Sequence, residues 1–167
     1  MRTKWDHRHP RYQALLQLLR SAETVWNASR LFFERWQLSP SQFNILNLLH
    51  DTPGGLSQSE LGRLLIMHRS NVTGLVDRLE RRRLVERQEV AADRRAYSVV
   101  LTAAGLKLVR EILPRYYEGA VRVWEELPAR RALELIADLQ QAARNAERMV
   151  RQLPKRKTPA SPIGYTV

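Results

Sequence analysis

The 167-residue sequence has no cysteine, which excludes a disulfide framework, a thiol redox switch, a cysteine nucleophile and a cysteine-held zinc. No apolar run approaches the ~20 residues of a membrane span, and the first 20 residues lack the apolar centre of a secretion signal. A cytoplasmic protein without a membrane partner is therefore expected. Glycine is scarce, with seven in the chain, and these fall mostly at turns or helix ends rather than in a phosphate-cradling loop. Neither an HExxH string nor a Ser/His/Asp set is present. The four histidines, His7, His9, His50 and His68, are scattered. The reading is of a protein that is not an enzyme, with no cofactor, no metal and no catalytic residue.

What is abundant is positive charge. The formal net charge is +11, and it is unevenly spread: +4 over residues 1–20, −1 over 21–56, +3 over 57–102, zero over 103–141 and +5 over 142–167. Arginine outnumbers lysine 24 to 4. A planar guanidinium fork suits phosphate and guanine edges better than an ammonium does. Any single run, such as Arg81-Arg82-Arg83, reads equally as a solvated helix end. Three separated basic regions on a small protein favour a polyanionic partner, nucleic acid first. With 44% hydrophobic residues the chain is too apolar to be disordered and long enough to bury a core.

Apolar spacing predicts a long helix over 11–37, where Tyr12, Leu15, Leu19, Ala22, Trp26 and Phe33 recur at three- and four-residue intervals. Leu16, Leu18, Leu31, Phe32 and Trp36 widen that stripe, so it needs cover on more than one side. Ser39-Pro40-Ser41-Gln42 reads as a capping box with proline at the first helical position. Thr52-Pro53-Gly54-Gly55 is a loop. Ser57-Gln58-Ser59-Glu60 is a second capping box, leading to a short helix with Leu61, Leu64 and Leu65. A third helix, over 69–82, buries Val72, Leu75, Val76 and Leu79. Two short helices with a tight connection and an apolar seam are the sequence form of a helix-turn-helix. The period then changes: residues 84–90 and 96–101 read as strands around a charged tip, 91–95. Thr102 caps a helix of about 25 residues with Pro114 as its expected kink. A last helix, 129–152, aligns Leu133, Ile136, Leu139, Ala143, Ala146 and Val150. The basic, proline-rich tail is expected to be mobile.

The string Arg69-Ser-Asn-Val-Thr-Gly-Leu-Val-Asp-Arg-Leu-Glu80, followed by Leu84-Val-Glu-Arg, Asp93-Arg-Arg and Leu101-Thr-Ala-Ala-Gly105, resembles the MarR family of bacterial transcriptional regulators. The fold so implied is mainly α with a small β-hairpin wing, a winged helix-turn-helix lobe plus long dimerisation helices. Four regions are expected: an N-terminal dimerisation helix (1–38), the winged helix-turn-helix (39–102), C-terminal dimerisation helices (103–152) and the tail (153–167). The resemblance implies a homodimer that binds double-stranded DNA at a pseudo-palindromic site with half-sites about one helical turn apart, most simply as a repressor.

For DNA, helix 69–82 is expected to enter the major groove with Arg69, Ser70, Asn71 and Thr73 facing outward. Arginine and asparagine can pair bidentately with guanine and adenine edges. His68 stands where the family often has a small cap. Ser57, Gln58 and Ser59 lie at a helix start, where free amides favour phosphate. Arg78 is a candidate backbone contact. The resemblance puts Arg95 into the minor groove, with Asp93 holding its guanidinium and Arg94 near phosphate; a narrow A·T-rich groove attracts such an arginine.

The resemblance further implies release from DNA by a small aromatic or phenolic effector. Trp26 and Arg30 on the first helix and Asn47 and His50 on the second are the candidate ligand residues, and each also reads as ordinary core or surface. The competing reading is a winged helix for protein contact or DNA architecture without sequence preference. An isolated monomer wrapped by its own helices is the alternative to the dimer.

Overall fold

A computed structural model describes residues 7–90 and 93–153. The side chains of Arg69, Val90 and residues 93–96 lie outside that description, as do the tip residues 91–92 and all of the expected tail after Leu153.

Among the described residues, six helices and one hairpin follow in the order α1 (Pro10–Glu34), α2 (Pro40–His50), α3 (Gln58–Leu64), α4 (Arg69–Arg81), β1 (Val85–Val90), β2 (Asp93–Leu101), α5 (Ala103–Val123) and α6 (Ala129–Gln152). This is the mainly helical, winged architecture expected. Both capping boxes form. Ser39 Oγ accepts from Gln42 N at 3.2 Å, and Gln42 Oε1 accepts from Ser39 N at 2.8 Å. At α3 the reciprocal pair is Ser57 and Glu60, at 3.2 and 2.8 Å. Thr102 Oγ1 accepts from Gly105 N at 3.0 Å and starts α5 as predicted. That helix runs through Pro114.

Three helices stop in the same unusual way. After α1, Leu38 N donates to Phe33 O and Gln37 N to Glu34 O, with Gln37 at φ 54°. After α3, Met67 N reaches Gly62 O and Ile66 N reaches Arg63 O, with Ile66 at φ 53°. After α4, Leu84 N reaches Leu79 O and Arg83 N reaches Glu80 O, with Arg83 at φ 57°. These are Schellman stops, whose left-handed residue is usually glycine. Here it is glutamine, isoleucine and arginine.

The chain divides into two compact units, the first ending at Tyr116 and the second starting at Tyr117. In the first, α2, α3, α4 and the hairpin share one core, with Phe43, Ile45, Leu46, Leu61, Val72, Val76, Leu79 and Val99 fully buried. Antiparallel pairing runs from Val85↔Leu101 to Glu89↔Tyr97 and shifts between Glu89 and Val90. Leu56 adds a bridge to Val99, bonded both ways at 3.0 and 2.8 Å. It is delivered there by Gly55, whose φ of 78° and 2.4 Å approach of a would-be Cβ to Ser98 Oγ admit no side chain. From α1 only Phe33 is buried. Phe33 stacks on Phe43 with centroids 4.4 Å apart, and Tyr116 of α5 closes the group at 4.9 Å from Phe43. Upstream of Phe33 the α1 stripe (Tyr12, Leu15, Leu19, Trp26) is exposed. In the second unit no residue of α6 is buried, and Leu133, Ile136, Met149 and Val150 all stand exposed.

Candidate nucleic-acid interface

Helix α4 has two faces. Val72, Val76 and Leu79 are 0% exposed, which fixes the helix on α2 and α3 and leaves Ser70, Asn71 and Arg78 exposed on its other side. The helix starts at His68, whose ring Nδ1 accepts from Ser70 N at 3.4 Å and lies 2.8 Å from Ser70 Oγ. Histidine thus fills the cap position through its ring nitrogen, and Ser70 is drawn towards the cap.

Thr73 is half-buried, with its Oγ1 2.8 Å from the side-chain amide of Gln58. With the Gln58 nitrogen donating to Thr73, the Gln58 oxygen accepts from Arg87 Nη2 and Nε at 3.0 and 3.1 Å. Arg87 on β1 also donates to Asp77 Oδ1 at 2.5 Å and to the Glu80 carboxylate on α4. One guanidinium therefore ties the first helix of the motif, the second helix and the wing strand. Strand alternation could have flagged Arg87, which shares the inward face with Val85, where a cation requires carboxylates.

At the start of α3, Ser57 is occupied by its own cap. The Ser57 backbone N–H, then its hydroxyl, hold the Glu60 carboxyl below its ordinary value, and Arg63 adds to the effect. The Glu60 carboxylate thus already takes one amide at this helix start, that of Ser57. Ser59 beside it is exposed. On the wing, β2 carries Asp93, Arg94 and Arg95, whose side chains are outside the described part.

Of the four candidate ligand residues, one lines a groove. An open groove of about 610 Å³ runs along the end of α1 and the start of α2, lined by Asn27, Arg30, Glu34, Gln37, Leu38 and Pro40 among others. Arg30 lines it; Trp26, Asn47 and His50 do not. Asn47 Oδ1 is buried and meets no protein donor, and His50 Nδ1 lies 3.2 Å from Asp51 Oδ1. Among the described residues, no group of three or more His, Asp or Glu is placed to hold a metal, and no helix is long and apolar enough to cross a membrane.

A helix-turn-helix with an antiparallel hairpin directly behind its second helix defines a winged helix-turn-helix protein. The MarR family model matches residues 36–96, from just after α1 into β2. The HTH-type transcriptional regulator PecS of Dickeya dadantii is 30% identical over 89 residues, 52% of this chain and 54% of that protein. The chain spans about half the length of the curated relatives it matches. Among solved structures, the S. aureus MepR–DNA complex superposes with a TM-score of 0.71 at 22% identity, covering 80% of this chain and 97% of MepR. CouR of Rhodococcus jostii RHA1 bound to p-coumaroyl-CoA gives 0.71 at 26% identity, covering 76% and 89%.

Proposed function

We propose that this protein is a sequence-specific DNA-binding transcriptional regulator that acts in the cytoplasm as a homodimeric repressor, by binding and not by catalysis. The observation that carries the reading is α4, a helix clamped on one face by fully buried valines and leucine while its opposite face offers Ser70 and Asn71. It lies in a chain of net charge +11. Ser59, Arg69, Ser70, Asn71 and Arg78 face the duplex, and Asp93, Arg94 and Arg95 serve the minor groove and phosphate. Ser57, Gln58 and Thr73, which also bond within the protein, complete the DNA-binding set. The MepR complex with DNA supports this use of the fold.

Residues 39–102 form the DNA-binding lobe. The flanking helices supply the dimer seam, because the exposed stripe of α1 and the wholly unburied α6 present more apolar surface than a soluble monomer leaves open. A small aromatic or phenolic effector releases the DNA, and Arg30 in the α1–α2 groove gives it a cationic partner. CouR, solved with an aromatic acyl thioester, supports that class.

The test is selection of duplexes from a random pool by purified protein at physiological salt with competitor DNA. Recovery of a pseudo-palindrome is the expected result. Binding without a recovered motif, fading steeply with salt, would establish the architectural alternative instead.

A further inference from the structure

The lobe is joined to α1 by a short turn. Between Glu34 and Pro40 the chain turns from α1 into α2 in five residues, through left-handed Gln37. The last carbonyls of a helix have no partner within it. Two carbonyls of this joint, just past the end of α1, are taken by one side chain from far along the sequence: Arg82 Nη1 donates to Gln37 O at 2.7 Å and Arg82 Nη2 to Trp36 O at 3.0 Å. Arg82 is the residue at which α4 ends. The helix whose start faces DNA is therefore forked at its other end onto the joint. The indole of Trp36 fixes the joint from a third side, its Nε1 donating to Glu111 Oε1 of α5 at 2.8 Å. Arg35 stacks over the same indole, 4.5 Å from the ring centroid.

We propose that Arg82 is a positioning residue for DNA binding: its two bonds to Trp36 O and Gln37 O set the direction of α4 relative to α1, and so the half-site spacing that the dimer accepts. This rests on the dimeric DNA-binding reading above. The argument is mechanical. A parallel guanidinium fork fixes both distance and angle, whereas an ammonium fixes distance alone. Only the last turns of α1 touch the lobe core, through Phe33, so the joint decides where the rest of α1 points. The groove of about 610 Å³ is walled by Gln37, Leu38, Ser39 and Pro40. A molecule seated there would press on the residue whose carbonyl Arg82 holds, which gives occupancy a direct line to α4.

The experiment uses the full chain and the operator recovered by selection. Half-site separation is varied one base pair at a time, and a single half-site duplex serves as the control. Wild type should prefer one separation sharply. Arg82→Met, which keeps the aliphatic stem and removes the fork, should lose about tenfold of that preference, the scale of two hydrogen bonds. Its affinity for the single half-site should stay within about twofold. Arg82→Lys should recover part of the preference. A melting curve for each variant confirms folding. An Arg82→Met protein that discriminates separations as sharply as wild type overturns the clasp. So does one that loses single half-site affinity in equal measure, which would make Arg82 a plain DNA contact. Failure of wild type to bind any duplex overturns the DNA reading itself, and this inference with it.

Discussion

Gly105, in the first turn of α5, lies against the backbone of Leu84 so closely that a β-carbon there would sit 1.9 Å from the Leu84 carbonyl oxygen and 2.9 Å from its carbon. That carbonyl also accepts from Thr102 N at 3.1 Å, and Thr102 Oγ1 donates to Arg83 O at 2.6 Å. The end of α4, the entry to the wing and the start of α5 are thus sewn together at one point. Gly105→Ala must move backbone, and an expected loss of about 3 kcal/mol or more is checked by denaturant unfolding.

Arg87 is the second site where a single change should propagate. Arg87→Ala leaves Asp77 and Glu80 facing each other without their cation and frees Gln58 from its second partner. All three groups are partly solvated, with side-chain exposures of 23%, 44% and 38%. The stability cost is accordingly about 1–2 kcal/mol rather than that of a buried pair. Because α3 then loses its tie to β1 and keeps only the Gln58–Thr73 bond to α4, operator affinity should fall although Arg87 is not among the proposed DNA-facing residues. Equal affinity for wild type and variant, measured by titration on the recovered duplex, would count against that bracket.

The α3 cap predicts a pH dependence. The folded-state pKa of Glu60 is below its ordinary value of 4.5, so the stabilisation from its ionised form is present above that value. It is lost as pH falls through the folded pKa. Glu60→Gln keeps an acceptor for Ser57 N and has no charge to titrate. Melting temperatures taken from neutral pH down to about pH 3 should fall more for wild type than for Glu60→Gln, and parallel curves would contradict the assignment.

Relief of the left-handed helix stops should stabilise the protein. A non-glycine residue in this region costs on the order of 1 kcal/mol, and a β-branched one most. Ile66 is also 93% exposed, so its side chain has little packing to lose. Ile66→Gly should raise stability by about 0.5–1 kcal/mol after glycine's own entropy is counted, with smaller gains for Gln37→Gly and Arg83→Gly. Thermal melts of the three single variants give the order directly.

Two substitutions separate readout from attraction at the interface. Asn71→Ala should relax one base position per half-site by about 1–3 kcal/mol if asparagine pairs bidentately with adenine; a uniform weakening over all sequences would show a phosphate contact. Arg95→Ala should lower operator affinity substantially with little change in melting temperature, and unchanged affinity would remove the wing from the mechanism.

The elements legible in the sequence were those with local causes. Ser39/Gln42 and Ser57/Glu60 announce their helices because a capping box is complete within four residues, and 129–152 is bounded as its proline and apolar period predict. The inward set Val72, Leu75, Val76 and Leu79 follows from a period of 3.6. What the sequence does not display is anything assembled from distant positions. Thr73 looks solvent-facing on its own helix and is claimed by Gln58 fifteen residues earlier. Arg82 looks like one of three solvated arginines, yet it reaches back 45 residues to the α1 joint. The Schellman stops were unreadable for another reason: the usual glycine signal is absent at Gln37, Ile66 and Arg83, so only the backbone reveals them. The ligand candidates are suggested by side-chain type alone, and type does not bring Asn47 or His50 into the groove that Arg30 lines.

Arg82 stands at one end of α4 and the proposed base-reading residues Ser70 and Asn71 at the other, which makes that helix a lever. Its 13 residues span about 20 Å. A turn of about 10° at the Arg82 end, about an axis across the helix, therefore carries the Arg69 end some 3.4 Å, roughly the distance between successive base pairs along a duplex. Because Val72, Val76 and Leu79 hold α4 on the lobe core, such a turn would be taken by the lobe as one body about the α1–α2 joint, and it would be large enough to put each proposed recognition helix out of step with its half-site.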